Sequence, residues 1–217
     1  GNKGNREAVI TDAIDSIRAA ITYGERGKAT RSVVVTSAVG EEGKSTVASQ
    51  LAVSLARGGR RTLLLDGDIR NPAQHAVFGL PGDRGLCEVL REQADLEDVV
   101  QTTPAENLWI LPAGRCDALA FRAFSSDALS AIMERLSTQF DFIVVDSGPV
   151  LTGPEALIFG QYVDGAILST RRDISQLPKV DDAYRRLQSV GVHVIGSVVN
   201  GIDGTVRSSA LALTSAR

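Results

Sequence analysis

The chain has 217 residues, 43% hydrophobic and 23% charged, with a net charge of -3 and a pI near 5.5, enough length and apolar content for a real globular core. That balance supplies no general basic field, which excludes non-specific nucleic-acid binding. No apolar run approaches the roughly 18–20 residues that cross a bilayer, and the stretch from Gly1 to Arg6 has no apolar signal core.

Taken in chain order, Ile10, Ile14, Ile17 and Ile21 step by four, three and four, which predicts an opening helix with one apolar face and a charged one. A strand follows over Ser32 to Thr36, then a glycine loop, then a helix marked by Val47, Leu51 and Leu55 and stopped at Gly58 and Gly59. Further strands are expected at Thr62 to Asp66, Leu108 to Leu111, Phe142 to Asp146, Gly165 to Ser169 and His193 to Val199. Helical spacing recurs at Leu129, Ile132, Met133 and Leu136, and again at Val180, Ala183, Leu187 and Val190, closed by Gly191. Apolar strands alternating with helices imply an α/β fold, a mostly parallel sheet with helices on both faces. One domain over 1–202 is expected, with a Ser-, Ala- and Thr-rich tail over 203–217. Trp109 reads as core. Cys87 and Cys116 stand far apart without metal-ligand companions, which points to a reduced, cytoplasmic setting. His75 and His193 also lack metal-like companions and read as structural.

Chemistry concentrates at three strand ends. The run from Ser32 to Thr46 places a strand, a small-residue turn and a helix start in the order that a phosphate-binding loop requires, so the fold reads as P-loop NTPase-like. Ala38, Gly40, Glu42 and Gly43 belong to that loop, whose amides would cradle phosphates; Lys44 would neutralise the β and γ oxygens and Ser45 would hold Mg²⁺. The second strand ends in Asp66-Gly67-Asp68, an ordinary turn on its own but a pair of ligands beside the loop. Asp146 supplies a third acidic strand end, the form of an aspartate that orients Mg²⁺. Carboxylates around a metal suit phosphoryl transfer, and one of them can accept a hydroxyl proton.

Together these residues carry a family resemblance. Thr36-Ser37, Gly43-Lys44-Ser45-Thr46, Asp66-x-Asp68-x-Arg70-x-Pro72, His75-x-x-Phe78-Gly79-Leu80, Gly85-Leu86-x-x-Val89-Leu90, Leu111-Pro-Ala-Gly114 and Gly196-x-Val198-x-Asn200 stand in order. The chain resembles the bacterial tyrosine kinases of capsule and exopolysaccharide export from about residue 6 to 202. The related partition and septum-site ATPases carry an extra loop lysine where this chain has Val39. The resemblance implies that Lys44 and Ser45 bind ATP and Mg²⁺, that Thr46 contacts phosphate, that Asp68 and Asp146 support the metal and that Asp66 is the base. It places Asn200 near the adenine, although a turn residue before Gly201 fits equally. It also implies a membrane polysaccharide co-polymerase as partner, a tyrosine-bearing protein as substrate, and a place at the inner face of the bacterial membrane through that partner or an N-terminal membrane segment.

Four departures qualify the likeness. Gly40-Glu41-Glu42 replaces the family's Pro-Gly-Glu, and a carboxylate at Glu41 would oppose triphosphate unless it points to solvent. Gly148 replaces a proline, which should loosen the segment after Asp146. Asp12, Asp15 and Arg18 stand where the family has a Glu and two Arg used in ring assembly, so Asp15 either reverses an inherited subunit contact in a homo-oligomer or lies on a solvated helix face. The tail has no tyrosine cluster; the tyrosines are Tyr23, Tyr162 and Tyr184. That leaves three readings: a chain cut before the cluster, an acceptor on another protein, or ATP binding kept without kinase activity. The last would make the chain a nucleotide-controlled assembly switch, with a plain cargo-positioning ATPase as the third class.

Overall fold

The structure is a computed structural model that describes residues 2–23, 30–124 and 127–201. Among them the elements run α1 (Asn2–Tyr23), β1 (Ser32–Ser37), α2 (Lys44–Arg57), β2 (Thr62–Gly67), α3 (Gln74–Val77), α4 (Leu86–Leu90), α5 (Leu96–Val99), β3 (Gln101–Thr102), β4 (Leu108–Leu111), α6 (Ala118–Ala123), α7 (Asp127–Gln139), β5 (Phe142–Ser147), α8 (Glu155–Phe159), β6 (Gly165–Arg171), α9 (Leu177–Ser189) and β7 (Val194–Asn200). The strands form one sheet in the order β3-β4-β2-β5-β1-β6-β7. All pairings are parallel except the two-residue β3 against β4.

Both faces of the sheet are covered, and strand alternation divides the core accordingly. Val33, Val35, Leu64 and Val144 meet Val47, Leu51 and Leu55 of α2. Val34, Leu63, Leu65, Ile143 and Val145 meet the far side, with Leu129, Ile132, Met133 and Leu136 of α7 and Ala183 and Leu187 of α9. The apolar runs were therefore parallel strands, buried except for the edge strand β7, and each lies within two residues of its expected bounds. The short helices between β2 and α7, and β3 itself, were not anticipated. The expected tail lies outside the described residues.

Three expectations are corrected. Cys87 and Cys116 are disulfide-bonded across a separation of 29 residues, with Cα atoms 5.3 Å apart, so they are neither unpaired nor reduced here; Leu86 and Cys87 donate backbone N–H groups to Pro112 and Ala113 and bring the two segments together. Asp15 is not merely solvated. Both of its oxygens accept from Arg57 Nη2 (2.6 and 2.8 Å) and Oδ1 also accepts the Ser54 hydroxyl at 2.5 Å, clasping α1 to α2, and the Ser54 bond, followed by Arg57, holds its carboxyl below the usual range. Trp109 is only half-buried, lying between Phe140 and the Arg61 guanidinium. Along α1, Ile14 and Ile21 are buried while Ile10 is exposed. No described helix is long and apolar enough to cross a membrane.

Candidate functional site

The loop after β1 is fixed from behind. Ser169 Oγ and Asn200 Nδ2 both donate to the Glu42 carbonyl, at 2.7 and 3.1 Å. A planar trans peptide then points the Gly43 N–H the opposite way. Gly43 adopts φ 82°, and a Cβ there would sit 2.8 Å from Asn200 Nδ2. Asn200 is thus the last residue of β7, packed on the loop, rather than a turn residue. Glu42 is fully buried; its carboxylate accepts the Val39 N–H at 2.9 Å and the Ser175 hydroxyl, so its side chain braces the loop. Ala38 is buried in the wall, Gly40 has open space around it and Thr46 is exposed. Glu41 is exposed, as electrostatics requires, but at φ 65° it holds a left-handed conformation that favours glycine.

The acidic residues arrive by strand register. Asp66 and Asp146 are Cα partners across β2 and β5, and they follow Leu64 and Val144 toward the α2 face. Asp68 lies beyond the strand end, where its carboxylate pairs with Lys44 Nζ at 2.8 Å; Lys44 also lies 3.4 Å from Ser45 Oγ. The stretch after Asp146 is not loose. Thr36 Oγ1 donates to the Gly148 carbonyl at 2.8 Å, and Ser147 Oγ reaches it at 3.3 Å.

One residue unnoticed in the sequence links the cluster. Gln74 is fully buried at the start of α3 and donates from Nε2 to Asp146 Oδ2 (2.7 Å) and to the Ser45 carbonyl (3.0 Å), while its backbone N–H and that of Ala73 reach Asp66 Oδ2, both at 2.9 Å. The only signal for it was a carboxylate at a strand end followed by a short helix with free N–H groups. Arg70 and Glu155 form a second unanticipated contact at 2.6 Å, with the Arg70 guanidinium over Phe121.

Asp66 Oδ1 and Asp146 Oδ1 are buried with no hydrogen-bond partner. Burial raises Asp66 to about 7, with Asp146 and Asp68 adding repulsion against the two backbone bonds. Burial also raises Asp146, opposed by Lys44 and Gln74. Among the described residues, no group of three or more His, Cys, Asp or Glu is arranged to hold a metal ion. The three carboxylates come near enough to repel one another but do not form a ready cage, and Asp68 is paired with Lys44. The bare Asp146 oxygen, close to the Ser45 hydroxyl, still fits Mg²⁺, which takes one or two carboxylates and completes its shell with phosphate oxygens and water.

A family model named ParA, described as NUBPL iron-transfer P-loop NTPase, matches residues 28–209. The tyrosine-protein kinase YwqD of Bacillus subtilis is 30% identical over 86% of this chain and 78% of its own. The tyrosine-protein kinase ptk of Acinetobacter johnsonii is 29% identical over 95% of this chain, which spans only 28% of that protein's length. The BceF tyrosine kinase domain superposes with a TM-score of 0.80 at 31% identity, covering 89% of this chain and 78% of that one.

Proposed function

The chain belongs to the bacterial tyrosine-protein kinase family on the ParA-type P-loop fold, an ATP-dependent tyrosine kinase among relatives of capsule and exopolysaccharide biosynthesis, and from there we propose how its residues transfer phosphate. Loop amides from Gly40 to Thr46 cradle the triphosphate of ATP, and Lys44 exchanges its pairing with Asp68 for the β and γ oxygens. Ser45 and Asp146, with Asp68 in support, would hold Mg²⁺, and that ion would supply charge neutralisation at the transferring group. Asp66 accepts the phenolic proton of the acceptor tyrosine at its bare Oδ1, and the tyrosine oxygen attacks the γ-phosphorus as the bond to ADP breaks. Asn200 holds the loop at the strand end where the adenine is expected.

One observation carries this reading. A fully buried aspartate at the strand end beside the phosphate loop, with one oxygen left bare and its carboxyl pushed up to about 7 by burial, suits a general base near neutral pH. Working partners would be a membrane polysaccharide co-polymerase, at the inner face of the membrane, and a tyrosine-bearing protein. Incubation with ATP, Mg²⁺ and such an acceptor should give phosphotyrosine, and Lys44→Met should abolish it; full activity in that variant overturns the proposal.

A further inference from the structure

We propose that Gln74 is a positioning residue for the magnesium site, whose side-chain amide fixes which oxygen of Asp146 is left bare and ties that carboxylate to the residue that carries the Ser45 hydroxyl. The inference rests on the nucleotide reading above and deepens it.

Gln74 touches three elements at once. Its side-chain amide holds Asp146 Oδ2 of β5 and the Ser45 carbonyl of α2, and its main-chain N–H helps hold Asp66 Oδ2 of β2. A carboxylate has two equivalent oxygens and can rotate. Here each carboxylate has one oxygen hydrogen-bonded and the other buried without a partner, so both are oriented and made inequivalent. Gln74 is in turn incompletely satisfied. Its Oε1 is buried with no hydrogen-bond partner, which disfavours the fold by about 1–3 kcal/mol, and an apolar side chain of similar volume would avoid that penalty. A plug for the core would not need the amide. Orientation of the Asp146 carboxylate does, and an unpartnered acceptor is suited to water protons on a hydrated cation.

Two variants separate orientation from packing. Gln74→Met keeps the volume and loses the donor; Gln74→Asn keeps an amide that is one methylene too short to reach Asp146. ADP binding is measured by calorimetry on each protein, once with saturating Mg²⁺ and once with EDTA, alongside thermal denaturation. In the parent chain Mg²⁺ should tighten ADP binding. In both variants that gain should shrink by about 10- to 100-fold, while binding in EDTA and the melting temperature stay near the parent values. An undiminished Mg²⁺ gain in either folded variant overturns the inference, as does loss of folding in both, which would make Gln74 structural. Absence of a Mg²⁺ gain in the parent chain would instead overturn the nucleotide reading, and the inference with it.

Discussion

Two buried acidic clusters sit in this molecule under similar burial and opposite circumstances. Glu88 in α4 is surrounded by donors: Gly85 N–H at 2.7 Å, Arg91 at 2.6 Å and Arg115 N–H at 3.1 Å. Arg91 is shared with Asp117, which caps α6, and the Cys87–Cys116 bond runs alongside. Asp66 and Asp146 are equally enclosed, but each keeps a bare oxygen and both are pushed toward the protonated form. A buried charge with all its partners holds segments together; one left short of partners is poised for something brought from outside.

The sharpest break of the comparison is Asp66→Asn. Phosphotyrosine formation should fall by about 10²–10⁴-fold, the usual weight of a general base, without loss of stability at neutral pH. The pH dependence carries the sign. Asp66 is raised from 3.8 to about 7, so its contribution to stability is fully present below 3.8 and is lost as pH rises through 7. Denaturant melts across that window should show the parent chain losing of order 4 kcal/mol from this group, a slope that the Asn variant flattens. Retained turnover or an unchanged slope would remove the distinction drawn above. Glu88→Ala should do the reverse, leaving Arg91 buried and short of its partner and lowering stability by about 3–5 kcal/mol, with ADP affinity of the folded protein unchanged in calorimetry. Reduction of the disulfide should lower stability by about 3–4 kcal/mol for a loop of this length, again without touching ADP binding; a parallel loss of affinity would show that the two regions are coupled. Smallest is Glu41→Gly, which relieves a left-handed glutamate in the phosphate loop. A gain of a few tenths to ~1 kcal/mol is expected in melts, the steric relief less the entropy of glycine.

The same contrast explains what the sequence made legible. Long buried strands announce themselves by unbroken runs such as Leu63 to Leu65 and Ile143 to Val145, and acidic residues at their ends follow. Helices of four to six residues carry too few turns for a period; α3 and α4 are fixed by contacts from elsewhere, Asp66 for α3 and the Pro112 carbonyl for α4, while α4 and α6 are also capped locally by Glu88 and Asp117. In the site, Lys44, Ser45, Asp66, Asp68 and Asp146 were visible because strand-loop spacing alone implicates them. Gln74, Ser175 and the bracing role of Glu42 were not, since Ser175 meets Glu42 from 133 residues away and Gln74 meets Asp146 from 72. The Asp15 contact was hidden for the same reason, because its partner Arg57 lies 42 residues on.

The pairing of Asp66 with Asp146 across β2 and β5 joins residues 80 positions apart through strand register alone. Side chains alternate faces at every residue, so a slip of one place between these strands would send one aspartate to the α2 side and the other to the α7 side. A chain that has collapsed but not yet aligned its central strands would have a phosphate loop without the paired carboxylates, so it is completion of the sheet, rather than of the loop, that assembles the proposed site.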